Sequence, residues 1–184
     1  MESLQGYFLI STPRMGDPRF QERVVYLCAH SDEGAMGLII NQPVDNISLA
    51  DILQSINIEV PEGGKWPPVY IGGPVDMESA FILYTSEYEA THRMEVSETI
   101  SLSSDPRILE DIARGRGPNH YLFVLGYSGW APGQLESELA TNGWLTLPGE
   151  DDVVFHTPDG SKWKRAAQIH GIDITMFGDE IGTA

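Results

Sequence analysis

Val24-Val25-Tyr26-Leu27-Cys28-Ala29-His30-Ser31-Asp32-Glu33-Gly34-Ala35-Met36-Gly37-Leu38-Ile39-Ile40-Asn41 is the stretch whose reading decides the class of fold. Two apolar runs, Val24–His30 and Met36–Asn41, flank the turn-forming Asp32-Glu33-Gly34. Such runs suit a pleated, buried surface, so the segment is expected as an antiparallel hairpin with a longer loop. Working outward, similar runs predict strands at Tyr7–Ser11, Val69–Gly72, Ala80–Tyr84, Thr99–Leu102 and Tyr121–Tyr127. Weaker strand candidates are Trp144–Leu147 and Val153–His156, the latter followed by the turn signal Pro158-Asp159-Gly160.

Helices are expected to be few and short. Ser48 stands as an N-cap before Leu49, Ile52, Leu53 and Ile56, which share one face. A second helix starts near Ser104 or Asp105, with Pro106 in its first turn and Gly115 as its stop. A third covers about Pro132 to Asn142, with Leu135 and Leu139 stacked, and a fourth runs from Ser161 to His170 before Gly171. Strands interrupted irregularly by single helices indicate α+β, not a βαβ alternation. A length of 184 residues fits one domain over 1–184, with 179–184 expected to fray.

Charge excludes more functions than it supports. Lys plus Arg number 11 against 27 Asp plus Glu, a formal net charge of −16. Residues 1–92 carry 4 basic and 13 acidic side chains, and residues 93–184 carry 7 and 14, so neither half is a basic arm or an acidic tail. Nucleic-acid affinity comes largely from Lys and Arg on phosphates, so direct nucleic-acid binding is not expected. An anionic membrane surface is disfavoured for the same reason. The densest basic groups, Lys162 with Lys164 and Arg165, and Arg107 with Arg114 and Arg116, are expected as solvated faces. The longest apolar runs fall far below the roughly 20 residues that span a bilayer, and the start of the chain lacks the basic segment of a secretory signal. With one cysteine and no internal disulfide, a cytoplasmic location is the expectation.

The motifs of catalysis are broken or incomplete. Cys28 and His30, two apart on an expected strand, would share a face, and a Cys-His pair can serve as nucleophile and base or as half of a zinc site. No second cysteine exists, and burial of the thiol is the simpler reading. Gly126-Tyr127-Ser128-Gly129-Trp130 resembles a nucleophile elbow, but Trp130 stands where the elbow needs glycine. The segment is therefore expected as a tight strand-to-helix turn. Gly72-Gly73-Pro74-Val75 lacks the lysine of a phosphate loop. Asp17-Pro18 suits the cap of a helical turn, although Arg14, Asp17 and Arg19 could equally form an electrostatic cluster. Trp130 and Trp144 bracket the third helix, with Gln134, Glu138 and Asn142 between them. That pattern serves either as a binding groove or as aromatic anchoring of the helix.

Taken together, the segments 13–20 (Pro-Arg-Met-Gly-Asp-Pro-Arg-Phe), 30–43, Gly72–Val75, Gly126–Trp130, Gly133–Glu138 and Asn142–Leu145 resemble the YqgE/AlgH family of bacterial proteins, in order and in spacing. The resemblance implies a single α+β domain whose branched, mixed and largely antiparallel sheet is partly closed as a small barrel and surrounded by helices. It also implies the label of transcriptional regulator, without catalytic residues to carry over. Against the net charge, that label is expected to mean indirect action.

The expected function is thus a cytoplasmic, non-catalytic regulatory or interaction protein, using no cofactor or metal and binding another protein or a small ligand through a groove. The candidate groove residues are Arg14, Asp17, His30, Asn41, Tyr127, Trp130, Gln134 and Glu138. A second reading makes the same polar residues an enzyme or ligand site. A third takes the regulator label literally, as direct DNA binding.

Overall fold

The computed structural model describes residues 2–177, so the fraying expected at 179–184 lies outside the described residues. The strands are β1 (Tyr7–Ser11), β2 (Val24–Ser31), β3 (Gly34–Ile39), β4 (Pro43–Ser48), β5 (Pro68–Ile71), β6 (Val75–Thr85), β7 (Met94–Glu95), β8 (Ile100–Ser103), β9 (Tyr121–Trp130) and β10 (Trp144–Pro148). The helices are α1 (Leu49–Ser55), α2 (Arg107–Ala113), α3 (Gln134–Ala140) and α4 (Lys162–Gln168). The hairpin expected at 24–41 is present as β2 and β3, paired antiparallel from Val25↔Ile39 to Ser31↔Gly34.

The sheet runs β10-β1-β2-β3-β9-β6-β8-β7 and branches at β9. Over Phe123–Leu125, β9 pairs in parallel with β5, which also carries β4. Over Ser128–Trp130 it pairs antiparallel with β3, while β6 follows its other side. The neighbour changes at Gly126, whose φ of 71° re-aims the strand. There the Gly72-Gly73 backbone crosses so closely that a Cβ on Gly73 would lie 2.2 Å from the Tyr127 carbonyl carbon and oxygen. Both glycine motifs of the sequence therefore build one crossing.

This corrects the expectation of a turn at Gly126–Trp130. The segment stays extended because β3 pairs with its backbone, and the chain turns only at Ala131–Gly133, with Gly133 at φ 80°. Ser128 is buried there, its hydroxyl donating to the Gly72 carbonyl at 3.0 Å. Val153–His156 is a second correction. Asp152–His156 forms one wide helical turn, because the consecutive Val153 and Val154 both enter the same core, which an alternating strand does not allow. Strands β4 and β7 escape a composition-based reading, since Asp45 and Asn46 lie in β4 and β7 is only two residues long.

Curvature shows in how the core divides. On one face, Phe8, Tyr26, Leu38, Tyr70, Leu83, Leu102 and Val124, from strands far apart in the sheet, join a single cluster with Trp163, Ala166 and Ala167 of α4. On the other face the core splits in two. Leu9, Val25, Leu27 and Ile39 lie under α3, and Val69, Ile82 and Phe123 lie under α1 and α2. One face that converges and one that diverges describe a sheet curled into a half-barrel, with α4 on the inside and the other helices outside.

Lys162 departs from the solvated face expected for it. It is buried, and its Nζ donates to the Ile40 carbonyl at 2.8 Å, pairs with Asp159 at 2.9 Å and lies 5.1 Å from the centre of the Tyr70 ring. The Tyr70 hydroxyl donates to the same carboxylate at 2.9 Å. Burial pushes the Lys162 ammonium below its usual range, and Asp159 opposes that shift. A lysine can be closed in here because these acceptors replace its water.

Candidate functional site

Sequence alternation would place Cys28 and His30 on one face of β2. The structure separates them. The register jumps from Leu27↔Gly37 to Ala29↔Met36, leaving Cys28 as the extra residue of a β-bulge. Each residue beyond the bulge is shifted by one in parity. Cys28 packs into the inner core, where burial pushes its thiol up to about 12. His30 turns outward to α3.

Both ring nitrogens of His30 are engaged. Nδ1 accepts the Leu4 backbone N–H at 2.9 Å, and Nε2 lies 2.8 Å from Glu136 Oε1. Accepting at Nδ1 places the proton on Nε2, facing the carboxylate. The hydrogen bond from His30 holds the Glu136 carboxyl below its usual range. Close by, Trp130 Nε1 and Trp144 Nε1 both donate to Glu138 Oε2, at 2.6 and 3.2 Å, with the two indoles edge to face at 6.2 Å. Gln134 Oε1 accepts the Ala131 N–H at 3.0 Å. His30, Trp130, Gln134 and Glu138 are thus brought together around α3, and their polar atoms tie that helix to the sheet. Glu136, which is not among the candidate groove residues, is the partner that completes the set.

The other four candidates lie in separate surroundings. Asn41 is buried, its Oδ1 accepting from Val24 N–H at 3.0 Å and its Nδ2 donating to the Glu22 carbonyl at 2.9 Å. Asp17 caps the turn Pro18–Phe20 and pairs with Arg19 at 2.6 Å, which holds its carboxyl below the usual range. Arg14 is exposed, its backbone N–H donating to Thr12 Oγ1 at 3.2 Å. Tyr127 is half-buried, edge to face with Phe81 at 6.0 Å. Among the described residues no three or more His, Cys, Asp or Glu side chains are grouped to hold a metal ion. No helix of the described residues is long and apolar enough to cross a membrane.

The arrangement with the clearest capacity to bind lies on the outer face of the sheet, between α1 and α2. Leu49 and Leu53 dock α1, while Ile108, Leu109 and Ile112 dock α2. Between the helices the sheet presents Ile82 and Phe123 at the base, with Ala80 and Leu125 half-exposed beside them. Ile47, Ile52 and Ile56 form one wall, and Met77 and Leu109 continue the apolar lining. The groove encloses about 600 Å³, and Ile56 and Met77 at its mouth are 43% and 50% exposed. Exposed apolar side chains gathered in one concave patch are the usual mark of a binding surface.

Its rim is acidic. Glu78 and Asp105 line the groove, and Asp51 and Asp76 stand on its wall elements. Arg107 is bound to Asp105 at 2.7 Å and holds that carboxyl below its usual range. The sequence carried a partial signal in Ile52 and Ile56, which continue the apolar face of α1 beyond the buried Leu49 and Leu53. The groove itself arises from β6, β9 and α2, whose lining residues lie 21 to 73 positions further along the chain.

The model of the family described as AlgH-like matches residues 8–175. A UPF0301 protein of Desulfotalea psychrophila is 48% identical over 183 residues, covering 99% of this chain and 95% of that protein. A UPF0301 protein of a Marinomonas species is 44% identical, covering 98% and 96%. Among solved structures, the solution structure of the AlgH protein from Pseudomonas aeruginosa is similar, with a TM-score of 0.80 at 35% identity, covering 100% of this chain and 99% of that one. A crystal structure of a protein from Corynebacterium diphtheriae shares the fold, with a TM-score of 0.72 at 18% identity, over 92% of this chain and 88% of that one.

Proposed function

The chain belongs to the AlgH-like family, and from that premise we propose that it is a non-catalytic interaction protein of the cytoplasm that receives an apolar segment of a partner protein in the groove between α1 and α2. The observation that carries this reading is the unpartnered apolar surface formed by Ile56, Met77, Ala80 and Leu125. A catalytic reading has less to stand on. His30 is bound at both nitrogens, Ser128 donates to a backbone carbonyl, and Cys28 lies in the core. Each of these three side chains already performs a structural task.

A regulatory effect on transcription would on this reading be indirect. Arg107 is paired with Asp105, Lys162 is buried against Asp159, and Arg114 and Arg116 share a polar cleft with Glu59 and Glu110. That distribution disfavours the row of free cations that duplex phosphates require. The test is a photo-crosslinking side chain placed at position 77 in living cells. A defined protein adduct that disappears when Ile56→Ser is added supports the reading. Adducts with lipid or small metabolites alone, or the same protein adducts from a crosslinker placed on α3, overturn it.

A further inference from the structure

We infer that the occupant of the α1–α2 groove is an extended segment of the partner protein, which adds a strand to the free edge of β6 in line with β8; this rests on the interaction reading above. Strand β6 is 11 residues long, but β8 accompanies only Ile82–Thr85 of it. Over Met77–Phe81 no described strand lies on that side. Just before Ala80, Asp76–Ser79 form a bulge of four residues against Gly126 alone, so their backbone is not laddered to β9 either. The hydrogen-bonding groups of β6 alternate between its two sides. Ser86 N–H donates to the Thr99 carbonyl on the β8 side at 2.9 Å, and Thr85 N–H donates to the His120 carbonyl on the β9 side at 3.0 Å. Alternation from Ser86 through the pairs Tyr84↔Ser101 and Ile82↔Ser103 reaches Ala80, whose N–H and C=O therefore point to the open side. Position 105 would face Ala80 if β8 continued. Asp105 instead gives its N–H to Ser103 Oγ at 3.1 Å, and its carbonyl accepts Ile108 N–H at 3.2 Å, in the turn that starts α2.

The lining of the groove points the same way independently. A groove over one face of a sheet meets alternate residues of each strand. Strand β9 follows that rule, contributing Phe123 and Leu125. Strand β6 contributes Met77 through Ile82 without a break, including Phe81, which packs against the inner core. A strand touched at both parities is approached along its edge, where its backbone is within reach. Backbone groups left open there call for an extended partner, because a helix uses its own N–H and C=O groups internally. Side chains of one parity from the added strand enter the groove, whose lining of Ile47, Ile52, Ile56 and Leu109 requires apolar residues at every second position. Other edges of the sheet are guarded. Thr12 N–H bonds to the Gly143 carbonyl and Gly149 N–H to the Gly6 carbonyl, so Pro148 faces outward on β10 and offers no donor. Strand β4 carries Asp45 and Asn46. A second copy of this chain would bring a further net charge of −16, which opposes self-pairing.

The experiment titrates the full chain with uncharged, end-capped synthetic peptides of about eight residues, an ordinary strand length. One alternates Val and Thr. Two more are the same peptide N-methylated on every Val amide or on every Thr amide, and another has the same composition in helical period. Laurate is the lipid-like probe. The protein variants are Ala80→Pro, which removes the open-side donor and no bond to β9, and the double substitution Ile56→Ser, Met77→Ser at two exposed positions. The expected result is that the alternating peptide binds the wild type and slows hydrogen exchange at the Ala80 amide. Its affinity should fall at least about tenfold in each variant and in only one of the two methylated forms, because an added strand turns alternate amides to its neighbour. If Ala80→Pro does not fold, the methylated pair decides alone. Equal effects of the two methylations, or tighter binding of the helical-period peptide, overturn the added strand; if the Ile56 and Met77 substitutions still weaken that binding, the interaction reading stands. Binding that Ala80→Pro leaves unchanged overturns the inference in favour of another edge. Failure of every peptide to bind below about 1 mM also overturns it. Groove-dependent binding of laurate with no peptide bound overturns both readings. Self-association by sedimentation that Ala80→Pro abolishes overturns the inference in favour of a second copy.

Discussion

Lys162 and Asp159 form an ion pair of 2.9 Å inside the protein, with 2% and 25% of their side chains exposed. The pair joins α4 to the rest of the half-barrel, since Lys162 also reaches the Ile40 carbonyl and Asp159 also receives the Tyr70 hydroxyl. Without Lys162, the start of α4 would leave the Ile40 carbonyl without its side-chain donor and the half-buried Asp159 carboxylate without a counter-charge.

Lys162→Met keeps the aliphatic stem and removes the charge. It is expected to cost about 3 kcal/mol, because breaking a buried pair leaves its partner uncompensated. Asp159→Asn should cost comparably, and the double variant less than the two losses combined. Urea unfolding measures all three, and a cost for Lys162→Met below about 1 kcal/mol would place the pair among ordinary surface bridges.

Alkaline pH should unfold the protein through its buried neutral acids. Burial raises Tyr26, Tyr121 and Cys28 to about 12, and also raises Tyr70 and Tyr88, both of which donate to carboxylates. Groups whose folded values are raised contribute stability that is complete below their unfolded values. That contribution is lost as pH climbs from about 9 for the thiol and 10 for the phenols toward 12. Tyrosinate absorbance from these rings should appear together with loss of circular dichroism. Ionisation complete at pH 10 with the fold intact would contradict it.

His30→Leu removes the acceptor of the Leu4 N–H and the donor to Glu136. A buried N–H left without an acceptor costs about 1–3 kcal/mol, so orphaning the half-buried Leu4 N–H should cost toward the lower end of that range, and the Leu4 amide should lose protection from hydrogen exchange. The acid side has its own signature. Because His30 holds the Glu136 carboxyl below its ordinary 4.5, this tie is complete above that pH and is lost as pH falls through the depressed folded value. The Leu4 amide shift in nuclear magnetic resonance should follow that titration and should not do so in Glu136→Gln.

Gly73→Ala tests the sheet branch. A Cβ there meets Tyr127 backbone atoms at 2.2 Å, so the crossing strands must part, and the variant should lose more than about 3 kcal/mol or fail to fold. Gly160→Ala is the control, since nothing lies within 4 Å of its Cβ and its φ is not in the left-handed region. Its stability should stay within about 0.5 kcal/mol of the wild type.

Much of the architecture was legible because it rests on local periodicity. The Val24–Asn41 hairpin, the Ser48 cap and the docking faces of the helices are set by residues within a few positions of one another, where alternation and capping chemistry act. The bulge at Cys28 was not legible. One extra residue reverses side-chain parity, and whether it is inserted depends on the partner strand. The same reason separates the two glycine motifs from their purpose, because Gly73 and Gly126 meet only when β5 and β9 lie side by side.

The sequence by itself determined an acidic α+β domain of the AlgH-like family without an intact catalytic motif, since composition and linear spacing are properties of the chain. Tertiary structure alone decided that His30 serves α3, that Lys162 is buried, and that Ile56 meets Met77, Ala80 and Leu125 across one groove. Those outcomes depend on which surfaces the curled sheet brings together. Burial and pairing are relations between residues distant along the chain, and no local pattern records them.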